Sequence, residues 1–278
     1  MATELRQRFD NYLTLQRCSK KTKQAYIHAV SGLAAYYKTP PDILTNDQIQ
    51  DYLLYLIRDR KLAWSSCNVA FSGISCFYAR FLKREAADFS IPPRPRQKKL
   101  PEILSRQEVY RLIEASKDIR QRALLAMTYG SGLRVSEVVS LKVHHIESER
   151  HLVRVEQGKG RKDRYTLLSV KALDWLSIYW RSHRPVLYLF FGRDKNKPMD
   201  VSTAQKMYHL AKAAAGIQKA KGIHTLRHCF ATHLLEAGTD IYTIKEFMGH
   251  RSIETTMVYL HILPNRMAEI KSPLDLLK

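Results

Sequence analysis

Over residues 1–90, apolar side chains recur at three- and four-residue spacings, the rhythm of helices with one buried face. Leu5, Phe9, Tyr12 and Leu13, continued by Gln16, keep this spacing. Ser19 is a natural N-cap for a helix to about Lys38, with Tyr26, Val30, Leu33 and Tyr37 on one face. Pro40-Pro41 stops it. Thr45-Asn46-Asp47-Gln48 is a capping box, opening a helix that buries Ile49, Tyr52, Leu53 and Leu56. Ser65 is expected to start a fourth helix reaching about Arg84. Residues 1–90 therefore predict a small four-helix domain.

The periods mix further on. Ser105-Arg106-Gln107-Glu108 is a second capping box, with helices expected to about Val139. His151–Gln157 reads as a strand, Gly158-Lys159-Gly160-Arg161-Lys162 as a tight turn, and Arg164–Leu168 as a returning strand. A strand near Val143–Ile146 would complete a three-stranded antiparallel sheet. Helices are predicted at about 169–182, 202–215, 224–237, 240–248 and 252–262. Residues 102–278 thus predict a mostly helical α+β domain.

Between the two lies Ile91–Pro101, with four prolines, the cations Arg94, Arg96, Lys98 and Lys99, and no acid. Proline fixes φ and donates no amide hydrogen, so residues 91–101 read as an extended linker. Charge widens the picture. The 278 residues carry a formal +20, with 13 basic and 8 acidic residues in 1–90 and 33 against 18 beyond. Such an excess, spread over both parts, favours a polyanionic partner. No apolar run approaches the ~18 residues of a membrane span. The charged start at Glu4, Arg6 and Arg8 predicts no secretory signal. Cys18, Cys67, Cys76 and Cys229 form no CxxC pair and predict reduced, mostly buried thiols in a cytoplasmic protein.

Four segments carry candidate chemistry. In Gly132-Leu133-Arg134-Val135-Ser136-Glu137, Glu137 lies one helical turn from Arg134 and can orient it, although surface ion pairs of this kind are common. Lys159 sits between two glycines, as a proton donor at a turn or as a solvated cation. His224, Arg227 and His228 share a helical face. Arginine would repel a metal there, whereas two imidazoles and a guanidinium suit a phosphate; His228 is alternatively a structural histidine. Met248-Gly249-His250 reads as a helix end with Gly249 in the left-handed position, and Tyr259 falls about two turns into a helix capped by Ser252. An isolated tyrosine is most often a packing residue.

Taken in order, Arg134, Lys159, His224-x-x-Arg227-His228, Gly249-His250 and Tyr259 closely resemble the tyrosine recombinase (phage-type integrase) family over essentially the whole chain. The layout is nearest to Xer-type and transposon- or integron-associated integrases, and Ser19, Thr22 and Tyr26 also look like that family's first domain. The resemblance implies a SAM-like core-binding domain and a catalytic domain of the DNA breaking-rejoining fold. It implies that Arg134 and Arg227 hold the scissile phosphate, that Lys159 protonates the leaving oxygen, and that His224 takes the tyrosine proton or bonds the phosphate. It further implies that His250 supports a phosphate oxygen, that Glu137 buttresses the site with His228 behind it, and that Tyr259 is the nucleophile. No metal or other cofactor is implied. The implied partner is duplex DNA, held between the domains with the 91–101 cations on its backbone. The implied assembly is a homo-tetramer on two sites, passing through a Holliday junction at the nucleoid. Separately, the apolar Leu274, Leu276 and Leu277 of the tail suit docking on a neighbouring subunit or on their own domain. A type IB topoisomerase-like relaxase would use the same residues; a non-catalytic DNA-binding protein would not need them together.

Overall fold

The computed structural model describes residues 3–93, 101–156 and 163–260. The chain divides into two compact units, residues 1–98 and 99–278. No helix among the described residues is long and apolar enough to cross a membrane.

The first unit packs helices α1 (Thr3–Leu15), α2 (Lys20–Tyr37), α3 (Asn46–Arg58) and α4 (Trp64–Ser75). Ser19 caps α2 by accepting the Thr22 N–H, and Thr45 and Gln48 cap α3 reciprocally. Phe9, Leu13, Val30, Leu33, Ile49, Leu53 and Ile74 form the core. Each such side chain contributes about 1.5–3 kcal/mol by leaving water. The fourth helix departs from expectation. It begins at Trp64 rather than Ser65, and at Cys76–Phe81 it widens into a π turn in which the Leu82 N–H reaches the Phe77 carbonyl. A regular helix turns neighbours about 100° apart; here Phe77 and Tyr78 are both buried, and Phe77 meets Phe9 edge-on at 5.1 Å. Ile91–Pro93 and Pro101 have no regular structure, and Arg94, Arg96, Lys98 and Lys99 lie outside the described residues.

The second unit runs α5 (Arg106–Glu114), α6 (Ile119–Gly130), α7 (Val135–Ser140), strands β1 (Ile146–Glu147), β2 (Leu152–Val155) and β3 (Arg164–Leu167), then α8 (Val170–His183), α9 (Val201–Ala214), α10 (His224–Glu236), α11 (Ile241–Met248) and α12 (Glu254–Met257). The strands form one antiparallel sheet in the order β1-β2-β3, with Val153 opposite Ile146 and Thr166, and Val155 opposite Arg164. Helix α6 is buried almost all round, through Ala123, Leu124, Leu125, Ala126, Met127 and Thr128. The sheet strands are shorter than expected. Val143–His145 is a 3-10 turn, not strand, because the Lys142 N–H turns back onto His145 Nδ1 at 3.2 Å; β1 starts only at Ile146. The last helix is also corrected: α12 spans four residues, and Tyr259 lies in the tighter turn after it, its N–H on the Thr256 carbonyl. Thr255, Thr256 and Val258 are β-branched and propagate a helix poorly. Of the four cysteines, Cys67 and Cys229 are buried, while Cys18 and Cys76 are half-buried.

Candidate active site

Local backbone geometry sets the site. After α6 the chain turns through Gly132 at φ 59°, and a Cβ there would lie 2.3 Å from the Phe230 ring of α10. Only glycine allows both that conformation and that approach. The turn brings the Gly132 carbonyl to Arg227 Nη1 of α10 at 2.6 Å and places Arg134 at the N-terminus of α7. Helix α11 ends at Gly249, φ 59°, and hands the chain to His250.

Arg134, His224, Arg227, His228, His250 and Tyr259 line one cavity of about 510 Å³. Glu137 sits behind it. Its Oε1 accepts from Arg134 Nη1 at 2.6 Å and from Arg164 Nη1 at 3.0 Å. Its Oε2 accepts from the Arg134 N–H at 2.8 Å and from Arg164 Nη2 at 2.9 Å, with Arg227 Nη1 3.6 Å away. Arg227 is 1% exposed and also donates to the Met248 carbonyl. Three guanidiniums around one carboxylate leave a net positive cavity wall, which suits an anion. On the other side, Tyr259 is buried, and its hydroxyl lies 2.9 Å from His228 Nδ1. His250 Nδ1 lies 2.9 Å from Thr256 Oγ1. His224 stacks edge-on against His228, ring centres 4.6 Å apart, and is exposed at the cavity rim.

Burial alone would raise the Glu137 pKa, but Arg164 and Arg134 outweigh it and hold it at about 2. Burial and then Arg134 lower Arg227 to about 9, so it stays charged at neutral pH. Burial, assisted by His224 and Arg227, lowers His228 to about 4; burial with Arg227, Arg134 and Arg164 lowers His250 to about 3. Desolvation followed by Arg227 and Arg134 also lowers His224, an effect that solvent at the rim screens. Burial raises Tyr259 to about 12 against the opposing pull of Arg227 and Arg134. At pH 7 the three imidazoles are therefore neutral bases and the phenol keeps its proton.

The structure thus gathers Arg134, Glu137, His224, Arg227, His228, His250 and Tyr259 into one site. Lys159 lies outside the described residues. The contact to the tyrosine hydroxyl comes from His228, the second histidine of the motif. Arg164, expected only as the first residue of the returning strand, joins the site through Glu137; its sequence signal is no more than a cation at the start of that strand. A second cluster, His144, His145 and Glu156, brings its ligand atoms within 4.8 Å of one another. There His145 Nδ1 accepts the Lys142 N–H, which leaves the ring proton on Nε2 facing Glu156 Oε2 at 3.2 Å, and the Lys142 ammonium lies 3.3 Å from the same oxygen. That is the chemistry of an ion-pair network rather than of a metal-ligand set.

The Phage integrase family profile matches residues 102–266, and that of the phage integrase N-terminal SAM-like domain matches residues 5–88. The y4qK protein of Sinorhizobium fredii is 39% identical over 276 residues, covering 99% of this chain and 90% of that protein. The tyrosine recombinase XerA of Pyrococcus furiosus is 32% identical over 286 residues, covering 100% of this chain and 96% of XerA. The solved structure of the Tn1549 transposon integrase in complex with a circular intermediate DNA is similar with a TM-score of 0.69, over 92% of this chain and 94% of that one, at 14% identity, a likeness of fold.

Proposed function

Because the chain belongs to the phage integrase family of tyrosine recombinases, we propose that it cuts and rejoins duplex DNA at a specific site through Tyr259. The observation that carries this reading is the single cavity onto which a buried tyrosine, three neutral histidines and two arginines converge. The Tyr259 oxygen attacks a backbone phosphorus; the bond from phosphorus to the 5′-oxygen breaks, leaving a 3′-phosphotyrosyl link and a free 5′-hydroxyl. With a pKa of about 12, only about one phenol in 10⁵ is ionised at pH 7, so the attack needs a base. His228 Nδ1, neutral and 2.9 Å from the hydroxyl, receives the proton. Arg134 and Arg227 neutralise the charge that builds on the non-bridging oxygens, with His250 and His224 as further partners of the phosphate. Lys159 protonates the leaving 5′-oxygen. Glu137 keeps Arg134 in place.

The 5′-hydroxyl of a partner strand then attacks the phosphotyrosyl phosphorus and releases the tyrosine. The covalent link conserves the bond energy, so neither ATP nor a metal enters the balance. Two such exchanges in a tetramer on two sites pass through a Holliday junction, in the service of a mobile element. The cations of 91–101, Arg94, Arg96, Lys98 and Lys99, contribute to backbone neutralisation between a core-binding domain over 1–90 and a catalytic domain over 102–278. The reading is tested with a nicked-duplex library carrying a randomised core. The wild-type protein should form a covalent adduct that survives denaturation, and Tyr259→Phe should form none. An adduct formed equally by the Phe variant would refute the reading. Relaxation of any supercoiled plasmid without strand exchange would favour a relaxase instead.

A further inference from the structure

We infer that Arg164 is a positioning residue of the phosphate site: it saturates Glu137 so that Arg134 and Arg227 keep their free donors for the substrate, and it ties strand β3 to the end of α11. The inference rests on the function proposed above and deepens it. A carboxylate offers about four lone-pair directions. Those of Glu137 are taken by Arg134 Nη1, the Arg134 N–H, and Nη1 and Nη2 of Arg164. Half of the saturation is therefore supplied by Arg164. Without it, two lone pairs of a buried charge would stand open, with Arg227 Nη1 already 3.6 Å away. A buried carboxylate recruits whatever donor it can reach. The nearest are guanidinium hydrogens that the phosphate needs.

A third donor of Arg164, Nε, reaches the Phe247 carbonyl in the last turn of α11 at 2.8 Å. Two residues further on lies Gly249, where a Cβ would sit 2.8 Å from Arg164 Cδ and 3.1 Å from its Nε. The missing side chain at Gly249 is thus what lets Arg164 pass beside the helix end that presents His250. Three donors in a planar fork meet a carboxylate and a carbonyl at once, which a lysine ammonium cannot reproduce. Arg164 also stands five positions after Lys159, at the first residue of the returning strand. One side chain therefore links that strand, the carboxylate behind Arg134 and the segment leading to His250.

The test uses the full chain and a nicked duplex captured by the wild type from the randomised library. Arg164→Lys and Arg164→Met should each slow single-turnover adduct formation about 100-fold, the scale of a misplaced reacting group. DNA affinity should change by less than about twofold. In a Glu137→Gln background the same replacements should cost less than about threefold more, because the link through which they act is gone. Independently of activity, the Glu137 carboxyl, followed by carbon-13 NMR, should titrate higher in Arg164→Lys, a variant that keeps the positive charge and the fold. Wild-type rates in both variants, additive losses with Glu137→Gln, or an unmoved Glu137 titration would overturn the inference. Failure of the wild type itself to form a Tyr259-dependent adduct would instead remove the functional reading, and the carboxyl titration would still decide the role of Arg164.

Discussion

Replacing Glu137 by glutamine keeps the shape of the side chain and removes its charge. The side chain is 8% exposed, so water does little to screen the loss. A carboxyl held at about 2 against an ordinary 4.5 contributes about 3 kcal/mol to stability at pH 7. Breaking a buried ion pair from one side costs a similar 3–5 kcal/mol, because the partners stay behind uncompensated. Glu137→Gln should therefore lower the melting temperature by about 6–12 °C for a unit of this size. The sign with pH is fixed. A depressed carboxyl pKa adds stability that is complete above 4.5 and is lost as pH falls through about 2. Glutamine does not titrate, so the gap between wild type and variant should shrink by more than half between pH 7 and about 3. Urea denaturation of both proteins at the two pH values measures it. A gap below about 0.5 kcal/mol at pH 7, or one that stays constant with pH, would refute the claim that this carboxylate organises the three arginines.

Gly132→Ala combines a left-handed φ with a Cβ 2.3 Å from Phe230, and should destabilise by about 2 kcal/mol or more in chemical denaturation. By NMR, His228 and His250 should titrate near 4 and 3, so that stability falls as pH drops below 6.5 and the unfolded chain takes up the protons first; midpoints near 6.5 would contradict their burial. His228→Phe should slow adduct formation by about 10²-fold or more, the scale of a lost general base, with DNA binding retained in gel-shift assays. DNA affinity should fall with salt at a log–log slope of about −0.9 per phosphate neutralised, and a slope near zero would contradict a backbone-dominated interface.

Much of the fold is legible wherever chemistry is local. The Thr45–Gln48 and Ser105–Glu108 capping boxes each close within one turn, and both form. The glycines at 132 and 249 adopt the left-handed backbone that their position after apolar helices implies. What stays hidden depends on distant partners. Arg164 and Glu137 are 27 positions apart and meet only in the folded chain, where β3 packs against α11. The contact of Tyr259 with His228 depends on α12 ending at Met257. The π turn at Cys76–Phe81 answers the demand of two adjacent aromatics for the same core, which helical spacing along the sequence cannot express. The motif order pointed to the site, while its internal wiring was set by the tertiary structure.

Arg227 spends hydrogens on the Gly132 and Met248 carbonyls, which close the ends of two separate turns. It is a strut of the architecture before any substrate arrives. Deleting it would orphan two buried carbonyls and also remove the phosphate contact proposed for it, so an inactive Arg227 variant would confound loss of chemistry with loss of folding. Anyone wanting a silent protein to trap its DNA should remove a single oxygen at Tyr259 instead. The same reasoning constrains divergence: both acceptors are main-chain carbonyls, so no side-chain change at 132 or 248 replaces the donors that a substitution at 227 removes.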